Sequence, residues 1–549
     1  LGLKTKIIPN SLIIKAHYID IENRKIYPAA ITINGRKIVA VEAIDEAVED
    51  YILPGFIDAH IHIESSMVLP AEFAKVAVLY GTVGTVSDPH EIANIMGIEG
   101  VNYMIENSKT VPFNFFFGAP SCVPATSFET AGATIDADGI KALMQSDDIW
   151  YLAEVMNYPA VIHRDTEIMQ KVSAAHQANK PVDGHAPALT GPDLQQYISA
   201  GISTDHECFT YNEGLEKLKS GMKVIIREGS AAKNFDALIP LLNLFPKQIM
   251  FCSDDKHPDD LLLGHINQLV LRAIKEGYNL FDVLYAACVL PVKHYQLPVG
   301  LLNVNDDADF IVINNLQEFN VKQTFIKGIC VAQNQKSNIT TKPFYNINKF
   351  NCTPITAQQL AIKSGNGKIK VIEAFNRQLI TASIVETVPV VNGFLTTNTA
   401  KDILKIVVVN RYFDAPPSVA FIKNFGLKEG AIASCIAHDS HNIVAVGVDD
   451  ESLAQAINLI IECKGGISVA HQHGKDVLPL PVAGIMSNLS VDEVAAAYQN
   501  LHAKAKELGC QLDAPFMSLS FMALLVIPAL KLSDKGLFDG VNFKFTELN

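Results

Sequence analysis

Positive charge is scarce in this sequence. Its 549 residues carry 44 Lys+Arg against 58 Asp+Glu, a formal net charge of −14, and no cluster of Lys and Arg stands out. Neutralising nucleic-acid phosphates needs such clusters, so nucleic acid is not an expected partner. Cysteine supplies no framework either. The nine cysteines (122, 208, 252, 288, 330, 352, 435, 463, 510) are odd in number, scattered, and form no CxxC pair. That speaks against a secreted disulfide scaffold and a thiolate zinc site, and for a reducing interior. Long apolar runs are missing too. The richest, FMSLSFMALLVIPAL at 516–530, is broken by Ser518, Ser520 and Pro528. It falls short of the roughly 20 residues that span a bilayer and reads as buried core. The opening LGLKTKIIPNSLIIK has no stretch resembling a signal peptide. A soluble, cytoplasmic protein without a membrane partner is expected.

What is present is a globular composition, 49% hydrophobic and 19% charged, long enough for about three domains. SLIIKAHYIDI and KIYPAAITI read as strands, with Asn34-Gly35 as a hairpin signal before KIVAV. A similar β-rich texture returns at 307–314 and 319–331. Between them, from 54 to about 298, eight strand-like runs alternate with helical patterns: 56–64, 81–91, 113–120, 150–158, 181–187, 201–207, 223–230 and 248–255. That rhythm predicts an α/β fold, a (β/α)₈ TIM-type barrel over 54–298. A linker at 332–352 precedes strands such as KIVVVN and NIVAVGV, so 345–549 is expected to form a C-terminal α/β domain. Exposed apolar surface on that domain would pair two copies as a homodimer.

The runs begin apolar and end in chemistry: HIH, SDPHE, AEVMN, DGHAP, TDHE, REGS, CSDD. In such barrels the carboxyl ends of the strands converge on one site. His60 and His62, one residue apart on a strand, face the same way and suit one ion. His185, His206 and Asp254 close three further strands. Four imidazoles exceed what one catalytic zinc needs, so two metals are expected, with Glu154 at the fourth strand end placed to bridge them. The nitrogen and oxygen donor set suits Zn²⁺, Fe²⁺ or Mn²⁺. Such a centre makes a hydroxide nucleophile near neutral pH, and Asp254 is the candidate to shuttle its proton. Asp88, His90, Glu91, Glu207, Arg227, Glu228 and Ser230 crowd the same rim as candidates to orient substrate or protonate a ring nitrogen. Some of them would serve only as helix caps. His163, His176, His257 and His265 are expected in bland roles. Two later clusters, His438-Asp439-Ser440-His441 and His471 with His473, either bind an ion, reach the barrel mouth, or are ordinary turn residues.

PGFIDAHIHIESS resembles the first-strand signature of the amidohydrolase superfamily. ISTDHECFT, IIREGSAAKN, FCSDDKHPDDLL, AEVMNYPAVI, SDPHEIANIMG, IAHDSHNIVAVGVDD and LPLPVAGIMS are similar to its adenine deaminase branch, a match running from about residue 12 to the end. The resemblance implies a small β-sandwich built from the flanks, 1–53 and 299–335. It also implies a binuclear centre with Glu154 where many relatives use a carboxylated lysine, and conversion of adenine and water to hypoxanthine and ammonia in purine salvage. On that footing Asp254, His90, Glu207 and Asp88 are the catalytic candidates. Glu91, Arg227, Glu228 and Ser230 would bind substrate, and His60, His62, Glu154, His185, His206 and Asp254 would hold metal. The HxE…PCxxC pattern of deaminases that act on nucleic acid is absent. Two alternatives stay open: another hydrolysis in the same barrel, such as that of a cyclic amide or an N-acetyl group, and a non-catalytic sensor of purine or metal.

Overall fold

The computed structural model describes residues 11–230, 232–365 and 368–549; the first ten residues of the expected flanking domain lie outside it. Ten-residue strands β1 (Ser11–Asp20) and β2 (Lys25–Asn34) pair along their whole length, and Gly35, at a φ of 59°, helps turn the chain into β3 (Lys37–Ala43). β4 (Tyr51–Pro54) then leads straight into β5 (Phe56–Ile61).

β5 begins a parallel series: β6 (Thr82–Ser87), β7 (Asn114–Ala119), β8 (Ile149–Val155), β9 (Val182–Gly184), β10 (Thr204–Asp205), β11 (Lys223–Arg227) and β12 (Ile249–Cys252). Each expected run contains one of these strands. They fall into sheets of five and three strands, and hydrogen bonds cross both seams. Ser203 N donates to Val182 O at 3.0 Å, and Asp254 N to His60 O at 3.0 Å. A helix follows every strand, for example Thr166–Gln177, capped by Asp165, and Tyr211–Lys219, capped by Thr210. The strands are buried on both faces and so read as apolar runs. Polar residues are left to gather where the runs end.

The chain then returns to the first sheet. β13 (Phe310–Ile313) pairs with β4, and β14 (Val321–Ile326), β15 (Ile329–Gln333) and β16 (Lys336–Ser337) follow outward. Both flanks of the parallel region thus share one eight-stranded sheet, around a core that includes Ile31, Ile52, Phe310 and Phe325.

Beyond residue 361 a second eight-stranded sheet forms, from Lys368–Ala374 through Gly474–Pro479. The helix Asp450–Cys463, capped by Asp449, packs on it. A capping box, Ser490 with Glu493, starts the 17-residue helix Val491–Glu507, which lies against Pro258–Leu261 of the parallel region. One apolar cluster runs from Ile57 under the parallel strands to Leu532 in this last part, so the two share a core. Among the described residues no helix is long and apolar enough to cross a membrane.

Candidate metal centre and active site

The strand ends bring the imidazoles together. His60 and His62 meet at 3.2 Å between their Nε2 atoms, as two residues on the same face of a strand must. The His206 ring stacks on His60 with centroids 3.9 Å apart. Glu154, buried at 3% exposure, divides the group. Its Oε1 lies 3.4 Å from His62 Nε2 and 3.3 Å from His90 Nδ1, and its Oε2 lies 3.2 Å from His206 Nε2 and 2.5 Å from His185 Nδ1. Each carboxylate oxygen therefore faces its own pair of imidazoles. Asp254 completes the ring from β12, with Oδ1 at 3.1 Å from His62 Nε2 and 3.8 Å from His60 Nε2.

These donors fit divalent cations. Nitrogens and carboxylate oxygens lie close enough to share an ion in several overlapping sets, among them His60, Glu154 and His206, and His60, His62 and Asp254. Two Nε2 atoms aimed at each other at 3.2 Å need a proton or a cation between them. The acids demand the same positive charge. Burial pushes the Glu154 carboxyl up, but His185 and His206 outweigh it and hold it well below the usual range. Burial likewise lowers His185, yet Glu207 and Glu154 bring it up to about 9. His60 moves the other way: burial, with His206 and His62 beside it, holds it neutral and ready to donate a lone pair.

Behind the ring a buried arginine fixes the acids. Arg227 Nη1 donates to Asp254 Oδ2 at 2.5 Å and also to Glu207, with Nη2 at 3.2 Å from Glu207 Oε2. Against the opposing effect of burial, the guanidinium keeps Asp254 ionised well below the usual carboxylate range. Asp88 accepts from His90 Nδ1 at 3.2 Å, and its carbonyl faces His62 Nδ1 at 3.1 Å, orienting both rings.

Glu228 and Ser230 lie apart from this group. Glu228 accepts from Phe235 N and faces Arg272, while Ser230 Oγ accepts from His257 N at 2.9 Å. Glu91 is engaged from the far end of the sequence, its two oxygens paired with His438 and His441. His265, expected to be bland, is wholly buried, with Nε2 at 2.8 Å from Asp58 Oδ2 and Nδ1 at 2.7 Å from Thr82 Oγ1. His471 and His473 sit at a hairpin, with His473 exposed.

Sequence reasoning missed three contributors. Asn234 donates to His206 O and Cys208 O and accepts from Arg227 N, tying two strand ends together. Asp255, adjacent to Asp254, accepts from Ser65 Oγ at 2.5 Å. The apolar run at 516–530 forms the roof: Phe521, Leu524, Val526 and Ile527, with Leu379, line a cavity over Glu154, Arg227 and Asp254. Only the bulk and apolarity of that run hinted at a wall; nothing local placed it over the strand ends.

With a polar floor and an apolar roof, the cavity suits a flat heterocycle whose polar edge meets the acids and imidazoles. The sequence pattern of the amidohydrolase family matches residues 51–331, and that of the adenine deaminase C-terminal domain matches residues 378–544. A Salinibacter ruber protein named adenine deaminase is 51% identical over 542 residues, 98% of this chain and 99% of its own. One so named from a Sulfurovum species is 53% identical over 534 residues (97% and 99%), and one from Methanosarcina acetivorans 49% over 544 residues (96% and 98%). The chain belongs to the amidohydrolase family, in its adenine deaminase branch.

Proposed function

We propose that this protein hydrolyses adenine to hypoxanthine and ammonia, a step of purine salvage. The observation that carries the proposal is the division of Glu154 between imidazoles, Oε1 facing His62 and Oε2 facing His185 and His206, beneath a cavity with an apolar roof. His60, His62, Glu154, His185, His206 and Asp254 would hold two divalent ions, Mn, Fe or Zn, with Glu154 shared. When bound, such a centre supplies a water acidic enough, with a pKa near about 7, to be a nucleophile at neutral pH.

The rest falls to the chain. Asp254, ionised beside Arg227, accepts the proton released as the water oxygen bonds to C6 of adenine. Against burial, Asp88 and Glu91 raise the His90 imidazole well above its usual value. It therefore carries a proton at neutral pH and is placed to protonate the ring, with Glu207 beside it held by Arg227. The C6–N6 bond then breaks and ammonia leaves with the transferred proton. Arg227 positions Asp254 and Glu207 together, and the Phe521–Ile527 roof keeps bulk water from the floor. Glu228 and Ser230 have no contact with substrate in this scheme.

With this reading would go a closed (β/α)₈ barrel over 54–298, a small β-sandwich drawn from 1–53 and 299–335, and a C-terminal α/β domain over 345–549. The test is direct. Purified protein reconstituted with Mn²⁺, Fe²⁺ or Zn²⁺ should consume adenine, seen by ultraviolet absorbance, and release one ammonia per hypoxanthine. Inertness towards adenine with activity on a cyclic amide or an N-acetyl substrate would overturn it.

A further inference from the structure

We propose that Asp439, from the C-terminal part of the chain, recognises the imidazole-ring N–H of the substrate purine and so selects the free base over purines substituted on that ring. The inference deepens the deaminase reading and rests on it. Asp439 belongs to the AHDSHN segment, far beyond the barrel in sequence, yet it lines the same cavity as Glu154, Arg227 and Asp254. It is 3% exposed. Its Oδ1 lies 3.5 Å from His90 Nε2, while its Oδ2, also buried, has no donor among the described residues. A buried carboxylate oxygen left without a donor is costly, and most such atoms are paired in a working structure.

The segment is held firmly in place. Glu91 pairs with both His438 and His441, and the His438 ring stacks on Phe521 with centroids 4.8 Å apart and planes 8° apart. Asp439 is thus fixed between a polar clamp and the cavity's apolar roof. On its other side Glu129 is buried with neither carboxylate oxygen partnered. Burial, and the charge of Asp439 nearby, raise Glu129 well above the usual range, so it adds no second negative charge at neutral pH.

The chemistry of the occupant follows. The reacting edge of adenine, C6 with its amino group, must face Asp254 and the imidazoles. A carboxylate offers acceptors only, and the one other donor on the free base is the N–H of its five-membered ring. The His90 ring bridges the two acids, Nδ1 at 3.3 Å from Glu154 Oε1 and Nε2 at 3.5 Å from Asp439 Oδ1, so a bicycle with its reacting edge at Glu154 would turn its five-membered ring towards Asp439. A nucleoside has a sugar where the free base has this proton, so its ring offers Asp439 no donor and its bulk meets the clamp.

Product binding tests this without turnover. Dissociation constants for hypoxanthine, 7-methylhypoxanthine and 9-methylhypoxanthine are measured calorimetrically on the metal-loaded protein and on Asp439→Ala and Asp439→Asn, with metal content determined for each. Wild type should bind hypoxanthine at least roughly 10-fold more tightly than one of the methyl isomers, the scale of a hydrogen bond to a charged group. Asp439→Ala should weaken hypoxanthine by that factor and erase the preference. The isosteric Asp439→Asn should fall between, and metal content should not change. A preference that survives in Asp439→Ala with hypoxanthine affinity unchanged would overturn the assignment, as would a lost metal equivalent, which would make Asp439 a ligand. Wild type that turns over adenine while Asp439→Ala keeps its discrimination defeats this inference alone. Wild type that neither binds purines nor consumes adenine defeats the deaminase reading beneath it.

Discussion

At the scale of single residues, two side chains are informative because each is buried with a charge to account for. Glu154 has an imidazole pair on either oxygen, so its removal should unlink the two halves of the centre. Elemental analysis of Glu154→Ala should find bound metal reduced from two equivalents towards one, with most activity lost; two equivalents and full activity would refute the bridging role. Lys531 is the opposite case. Its ammonium is wholly buried and donates to two backbone carbonyls of the roof, Leu379 O at 2.7 Å and Phe521 O at 2.8 Å. Burial pushes it down from 10.5 to about 7. Between those values the unfolded chain holds a proton that the folded chain has released, so this group makes stability rise with pH from about 7 upward. Below 7 the fold must carry the buried cation, at a cost of about 1.4 kcal/mol for each unit of displacement. Lys531→Met cannot titrate. Its melting temperature relative to wild type should be highest near pH 6 and decline steadily towards pH 10, and a pH-independent difference would show that Lys531 does not titrate in this range.

At the scale of elements, the site depends on how the short strands β9 and β10 approach each other. Gly184 ends β9, and a Cβ there would stand 2.5 Å from the Thr204 carbonyl oxygen and 2.8 Å from Ile202 Cγ2. The backbone of β10 would have to move, and overpacking of this kind costs roughly 1–3 kcal/mol. His185 follows Gly184 and His206 follows β10, so Gly184→Ala should lower the melting temperature and the affinity for the metal bound by this pair, read by chelator competition. Unchanged metal affinity would mean that the seam does not set their spacing. This seam also marks the limit of what the sequence disclosed. The eight runs were legible because seven of them pass from apolar to His, Asp or Glu within a few residues, and all eight overlap strands. Of the two runs weak in pattern, FNFFFGAP holds the six residues of β7, whereas PVDGHAP holds only three of β9, because two-sided burial with a glycine leaves little periodicity. His60, His62, His185, His206 and Asp254 could be picked out because a strand end limits where a side chain can go. Asn234 and His265 could not, since their partners depend on how loops and helices pack. Glu228 and Ser230 end their run as the others do, but their side chains turn to Arg272 and to His257 N rather than into the cavity.

At the scale of the molecule, the cavity exists only because the C-terminal part lies across the strand ends, and Glu91 is where it is fastened. The contact joins residues 347 apart in sequence, a pairing that no local pattern announces. Sequence alone therefore left His438 and His441 undecided between turn, ion site and barrel mouth. Glu91 is buried with an imidazole at each oxygen, and His438 brings the pairing directly to the roof through Phe521. The Glu91 carboxyl is held well below its usual range, with burial opposing and His438 and His441 prevailing. Against burial, Glu91 brings His438 up to about 9, while burial holds His441 down, so the clamp is ionic at His438. Removing one partner of such a buried pair costs about 3–5 kcal/mol. A loss of that size, concentrated at the docking face, should loosen the roof before it unfolds either sheet. In Glu91→Gln the crossing segment at 338–356, held at Tyr345 by Tyr103, should be cut by protease much faster than in wild type. Adenine turnover should fall through a raised KM as the roof loosens and through a lowered kcat as His90 loses a charge that holds its proton, while the metal content stays at its wild-type value. Equal protease resistance with an unchanged KM would show instead that Glu91 does not fasten the roof, and that the two parts are held together by their shared apolar core alone.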